Sequence, residues 1–354
     1  MYLDLNNTLL HLICKITKAN GTNIEADAKV APIAYPFATM FNQGDINLGD
    51  QLVTQNDNIH KALDTQLSAG LFDKDTQAHF EDTTFDGGNN SFKKRASFTA
   101  GSRQFDLLGC IHSDLFFQDK LLVNGIDLKI KLNCNKDALC LISGDAKQNK
   151  LVILSTSLFV KRVKVSPSVR LAHAEALHLS NANNAMERVA LKIFSIPAST
   201  KLTQQQNLFL GQFPKLIIIG FVDNTAFSRL YASNPFNFEH YNINYGALVH
   251  EGAVIPAKPF TRVLEHPILS GKHLRDSGVV VSREVYGAGY TLFAFDLTPD
   301  MEDGDHYNLI KNGTLKAEIC FTQVLATNVN MVVFSVFDSV IQVNHSRQIM
   351  FDYH

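Results

Sequence analysis

Tryptophan is absent from this chain, charged residues are sparse at 19%, and neither sign of charge prevails: the formal net charge is −2 over 354 residues. A surface that coats nucleic acid needs a basic excess to neutralise phosphates, and none is present. Direct nucleic-acid packaging is therefore not its main surface chemistry, and no sequence-specific nucleic-acid contact is expected. Long apolar runs are missing too. The densest, residues 216–222, is broken by Gly220 and falls far short of the roughly 20 residues a bilayer-spanning helix needs. Met1 is followed at once by the strand-like Tyr2-Leu3-Asp4-Leu5, not by a basic stretch and a small-residue cleavage site, so no secretory leader is expected. The sequons at Asn20, Asn89 and Asn312 then read as chance matches.

The motifs of common enzyme chemistries are lacking as well. No His-x-His occurs for a cupin-type metal, and His173 and His178 are five apart, off a shared helix face. The five cysteines (Cys14, Cys110, Cys134, Cys140, Cys320) form no Cys-x-x-Cys pair. They read as buried free thiols, not as a zinc set. No Gly-x-Ser-x-Gly elbow exists, and Gly287-Ala288-Gly289 lacks the third glycine of a dinucleotide loop. The acidic cluster Asp300, Glu302, Asp303 and Asp305 lacks the ligand period of a calcium loop and reads as solvated. No catalytic, cofactor-binding or metal residue is expected. Paired carboxylates for glycoside cleavage stay open, because such pairs meet only in space.

What is present is period-2 alternation. Ile126, Leu128, Ile130 and Leu132 face one way, with Asp127, Lys129, Lys131 and Asn133 opposite; the Asn124-Gly125 turn signal comes just before. The same arrangement returns at Asn312-Gly313, followed by Leu315, Ala317, Ile319 and Phe321 on one face. Downstream of each copy lies a long β-branched and aromatic strand, residues 151–165 and 329–343. Three features in the same order point to a duplicated domain. Further strands are expected at 8–17, 188–194, 215–222 and 290–297. A short helix is expected at 168–179 after Pro167, as the connector between repeats. Residues 82–91 and 299–306 read as loops, and Lys93-Lys94-Arg95 as a solvated strand edge. The 25 phenylalanines suit sheet cores, since the ring carries no N–H needing a partner. Strands joined by long polar loops imply antiparallel sandwiches with Greek-key connections.

Five segments carry a resemblance: residues 2–16 (YLDLNNTLLHLICKI), 93–132 (KKRASFTAGSRQFDLLGCIHSDLFFQDKLLVNGIDLKIKL), 208–227 (LFLGQFPKLIIIGFVDNTAF), 234–244 (NPFNFEHYNIN) and 289–300 (GYTLFAFDLTPD). As an ordered set they resemble the double jelly-roll major capsid proteins of Polinton (Maverick) elements and adintoviruses, and uncharacterised animal gene products derived from them. The resemblance implies an all-β fold of two tandem antiparallel jelly-roll sandwiches with a short connecting helix. Residues 1–170 would form the first roll, lacking an N-terminal strand or arm, and 171–354 the second. It implies a structural, non-enzymatic subunit without cofactors, trimerising into hexon-like, pseudo-hexagonal capsomers of an icosahedral virion shell assembled in host cytoplasm or nucleus. Its partners would be its own copies, with penton or minor capsid proteins. The stretch 259–289 is shorter than in the proteins it resembles. Two other readings stay open: a host-resident copy that keeps the fold, and a β-sandwich carbohydrate-binding or hydrolase protein. Residues 234–245 are aromatic-rich without alternation, and Pro235 argues against a central strand. Phe236, Phe238 and Tyr241 on this loop are the candidate assembly anchors; the competing reading has them plug their own sandwich.

Overall fold

The computed structural model describes residues 1–56, 73–111, 113–118, 120–145, 148–209, 211–226, 231–260, 283–298 and 312–351. The first half holds β1 (Tyr2–Lys18), β2 (Val30–Pro32), α1 (Pro36–Thr39), β3 (Phe41–Leu48), β4 (Gln51–Asn56), α2 (Asn90–Thr99), β5 (Phe105–Cys110), β6 (Leu128–Cys134), α3 (Asp137–Cys140), β7 (Leu141–Ser143) and β8 (Asn149–Val163). α4 (Pro167–Leu179) follows. The second half holds β9 (Ala182–Ile196), β10 (Leu202–Gln205), β11 (Leu216–Asp223), β12 (Ile243–His250), β13 (Ala253–Phe260), α5 (Arg283–Gly287), β14 (Leu292–Asp296), β15 (Leu315–Phe321), β16 (Val329–Val343) and β17 (Ile349–Phe351).

The second half is a complete jelly roll. One sheet runs β14-β11-β16-β9, with β17 on the end of β16; the other runs β10-β15-β12-β13, every pair antiparallel. First pairs with eighth, second with seventh, third with sixth and fourth with fifth, as in a long hairpin rolled into a sandwich. Alternation fills the space between the sheets: Leu315, Ala317, Ile319 and Phe321 from β15 meet Ile217, Ile219 and Phe221 from β11. The Phe221 ring meets Phe293 and Phe321 edge to face, the geometry the ring quadrupole favours.

The first half repeats six of these eight strands. Its sheets run β5-β1-β8 and β4-β3-β6, with β2 paired to β7 beside them. Thus β1 takes the place of β11, β3 of β12, β4 of β13, β5 of β14, β6 of β15 and β8 of β16. Among the described residues no strand takes the places of β9 and β10. Apolar Leu10, Leu12, Cys14 and Ile16 of β1 pack with Leu107 of β5 and Ile46 of β3. β9 and β16 are long because they serve both cores. Their near halves line the second core, while Met186, Ile341 and Val343 reach the first.

The expected strands and connecting helix are present. Ser166 caps α4 by accepting from the Val169 amide, and Pro167 fills the first turn. Two expectations are corrected. Lys93-Lys94-Arg95 is no strand edge: it lies on α2, whose buried residues Phe92, Arg95, Ala96 and Thr99 follow helical spacing. Of the five free thiols only Cys14 and Cys140 are buried, and Cys134 is exposed; it ends β6, where the half-buried strand runs out of core. Residues 299–306 lie outside the described residues.

Candidate inter-roll seam and assembly loop

Where the rolls meet, a buried polar hub forms around Arg95 and Asp75, both side chains 1% exposed. α2 presents Arg95, with Asn89 capping the helix through the Phe92 amide. The guanidinium donates to Pro32 O at 2.8 Å, Asp73 O at 2.8 Å and Asp75 Oδ1 at 2.6 Å. Each nitrogen of the cation therefore has an acceptor, the kind of pairing under which a buried charge is tolerated. From the second roll, Asn234 Nδ2 donates to Asp75 Oδ2 at 3.0 Å and Tyr290 Oη to Asp75 O at 2.8 Å. Phe80 lies 4.9 Å from the Tyr290 ring, and Lys74 Nζ sits 4.5 Å above it. One acidic residue thus ties a first-roll helix to two second-roll loops. The seam continues in backbone bonds, from Ser143 N to Tyr231 O.

The loop with Phe236, Phe238 and Tyr241 leads out of this hub. All three are half-buried. Phe238 lies over Gly220 of β11, where a Cβ would come within 2.6 Å of its ring. Its backbone joins Gly289 O and the Thr291 amide. Tyr241 packs against the second-roll core, and burial, then the charges of Glu239, Asp223 and Glu81, push its hydroxyl pKa up. Partial desolvation, then the charges of Glu239 and Asp223, also raise the carboxyl of the exposed Glu81. The Phe238 and Tyr241 rings thus rest in part on their own roll, and the loop shows a mixed apolar and acidic face.

Chemistry elsewhere is sparse. Among the described residues no group of three or more His, Cys, Asp and Glu side chains could hold a metal ion, and no helix is long and apolar enough to cross a membrane. The buried Cys14 and Cys140 thiols are pushed up to about 12, chiefly by desolvation, far from the thiolate a nucleophile needs. The hub was missed in the sequence because Asp75 and Asn234 lie 20 and 139 residues from Arg95. The available signal was Phe92, Ala96 and Thr99 at helical spacing.

The molecule is a double jelly-roll β-protein. Its fold is shared with a chain of the Sputnik virophage (12% identical, TM-score 0.64, covering 99% of this chain and 82% of the other). It is shared with the mavirus major capsid protein (9% identical, TM-score 0.52, covering 98% and 83%). The faustovirus major capsid protein has it too (8% identical, TM-score 0.56, covering 94% and 77%). The chain is also similar to the uncharacterized protein F54H12.2 of Caenorhabditis elegans, 20% identical over 382 aligned residues that take in 99% of this chain and 90% of that one. No known protein-family model matches it.

Proposed function

We propose that this chain is a viral-type major capsid protein, a structural subunit and not an enzyme. The observation that carries the reading is the tandem repeat of the jelly roll in one chain, in a fold shared over nearly the whole length with the mavirus and faustovirus major capsid proteins. Three copies of a two-roll chain give a ring with six similar units at its rim, which suits a hexagonal lattice, and closed cyclic symmetry is the usual solution for homo-oligomers. The subunit is therefore a homotrimer whose capsomers tile a virion shell, with penton or minor capsid proteins as further partners. The Polinton, Maverick and adintovirus lineage rests on the five sequence segments. Residues 1–170 form the first roll and 171–354 the second.

Phe236, Phe238 and Tyr241 are the proposed anchors of the trimer contact: their half-exposed rings stand on a loop held rigidly by the seam. The likeness to a nematode protein favours a second reading, a host-genome copy that keeps the fold. Electron microscopy of the purified chain separates the two. Threefold, pseudo-hexagonal particles support the capsid reading; uniform monomers favour the host-resident one. If the loop is the contact, Phe236→Ala dissolves the particles and leaves Tm nearly unchanged. If it is core, the change costs about 3–5 kcal/mol of fold stability.

A further inference from the structure

A surface helix ordinarily turns its apolar residues inward and its charged ones to solvent. The connecting helix α4 does the reverse over most of its girth. It is fixed at three points in its second half. The Tyr2 hydroxyl lies 2.9 Å from His173 Nδ1 and the two rings stack at 5.7 Å. Leu177 is buried, and the His178 ring stands 5.5 Å from that of His345, between β16 and β17. Away from these contacts, Val169, Ala172, Ala176 and Leu179 follow helical spacing and share one side. Val169, Leu171 and Leu179 are 40%, 63% and 89% exposed, and Ala172 and Ala176 are exposed too. The helix has thirteen residues, roughly 20 Å of length, and presents this apolar side to solvent between the two rolls.

Charge narrows the occupant. The stretch that ends β8 and forms α4 carries Lys161, Arg162, Lys164 and Arg170, all exposed, against the single carboxylate of Glu175. Among the described residues only Lys161 has a carboxylate partner, Asp4 of β1 at 2.9 Å. This basic excess stands in a chain whose net charge is −2. A second copy would bring the same positive charge to the contact, and like charges set against each other are penalised. A polyanionic surface fits.

The apolar side chains choose between polyanions. Nucleic acid is held by cations on its phosphates and by aromatic rings under its bases. α4 has no Phe, Tyr or Trp, and phosphate contacts would leave Leu171 and Leu179 in water. A lipid surface uses both parts of the patch: apolar side chains enter the boundary of headgroups and acyl chains, while basic ones meet the anionic headgroups.

We infer that α4, with the basic residues just before it, is a peripheral docking surface for an anionic lipid bilayer. The helix lies along the surface and does not cross it, being well short of the roughly 20 residues a span needs. Val169, Leu171 and Leu179 enter the interface, and Arg162, Lys164 and Arg170 meet the headgroup phosphates and carboxylates. The inference goes beyond the capsid reading and does not rest on it.

The absence of tryptophan supplies the test. Leu179→Trp puts a lone reporter ring on α4, and Val324→Trp puts one at a 57% exposed site in the connection before β16. Each full-length chain is titrated with phosphatidylcholine vesicles, with and without phosphatidylserine. The expected result is a blue shift of the Leu179→Trp emission with the phosphatidylserine vesicles, weakened by added salt, and no shift for Val324→Trp. In the Leu179→Trp background, Arg162→Gln with Lys164→Gln should weaken binding by roughly tenfold or more, and Leu171→Ser by roughly tenfold. No shift with either vesicle overturns the inference, as does an equal shift with phosphatidylcholine alone. A shift of both reporters overturns it too, because it reports general adsorption or unfolding. A shift that grows with protein concentration without vesicles names a second copy as the occupant. Duplex DNA that binds as tightly as the vesicles, with no loss in Leu171→Ser, names nucleic acid. Trimers that ignore vesicles would fail this inference alone, and vesicle binding by a strict monomer would fail the capsid reading alone.

Discussion

β8 and β16 hold the same place in their rolls, both are fifteen residues long, and both are rich in β-branched and aromatic side chains. Yet among the described residues one has a single strand neighbour and the other is paired on both edges. The difference is one of neighbours, not of composition: strand propensity measures fit to a pleated, half-buried surface, and packing decides which strand is buried. A second contrast concerns adhesives. The second roll is held by interlocked phenylalanines, whereas the joint between rolls is held by a buried ion pair whose hydrogen bonds reach both halves.

These contrasts can be broken by substitution. The largest effect is expected at Phe337→Ala in the middle of β16, where the ring is 1% exposed: a loss of about 3–5 kcal/mol in denaturant unfolding. Phe159→Ala on β8 should stay within about 0.5 kcal/mol, as for ordinary surface sites; a cost near that of Phe337 would mean the ring is covered. At the seam, Arg95→Met strands Asp75 among buried atoms and should cost about 3–5 kcal/mol. Adding Asp75→Asn should recover part of that loss, whereas simple additivity of the two changes would show that the residues are not one unit. Gly220→Val pushes a side chain into the Phe238 ring and should cost about 1–3 kcal/mol by overpacking, with faster amide exchange confined to the loop around Phe238.

The smallest effect concerns pH. The Glu81 carboxyl is raised in the folded chain by partial desolvation, then by the charges of Glu239 and Asp223. The folded state therefore holds this proton more tightly than the unfolded one. Its contribution is fully present below the unfolded carboxylate pKa and is lost as pH rises through the folded value. Glu81→Gln should flatten that decline in a series of Tm values between mildly acidic and neutral pH. A decline that persists unchanged would assign it to another group.

The strands were largely legible in the sequence because alternation at 126–133 and 314–321, and long apolar stretches at 151–165 and 329–343, register the two faces of a sheet directly. The connecting helix announced itself through Pro167. Less legible were the short pairings, such as β10 with four residues and β2 with three, too brief for any period to show. The seam was hidden for another reason. Lys93-Lys94-Arg95 looks like a solvated run because local sequence carries no trace of Asp75, Pro32 O and Asn234, which reach Arg95 and its partner only through the fold. That β8 has one strand neighbour among the described residues was invisible likewise, since an edge is defined by what pairs with it.

The central claim is that two related rolls in one chain build a threefold capsomer. Light-scattering mass measured across a concentration series tests it most directly. The account predicts a species of about three times the 39.3 kDa chain mass, as expected for closed cyclic symmetry. A strictly monomeric mass that persists at high concentration would contradict it.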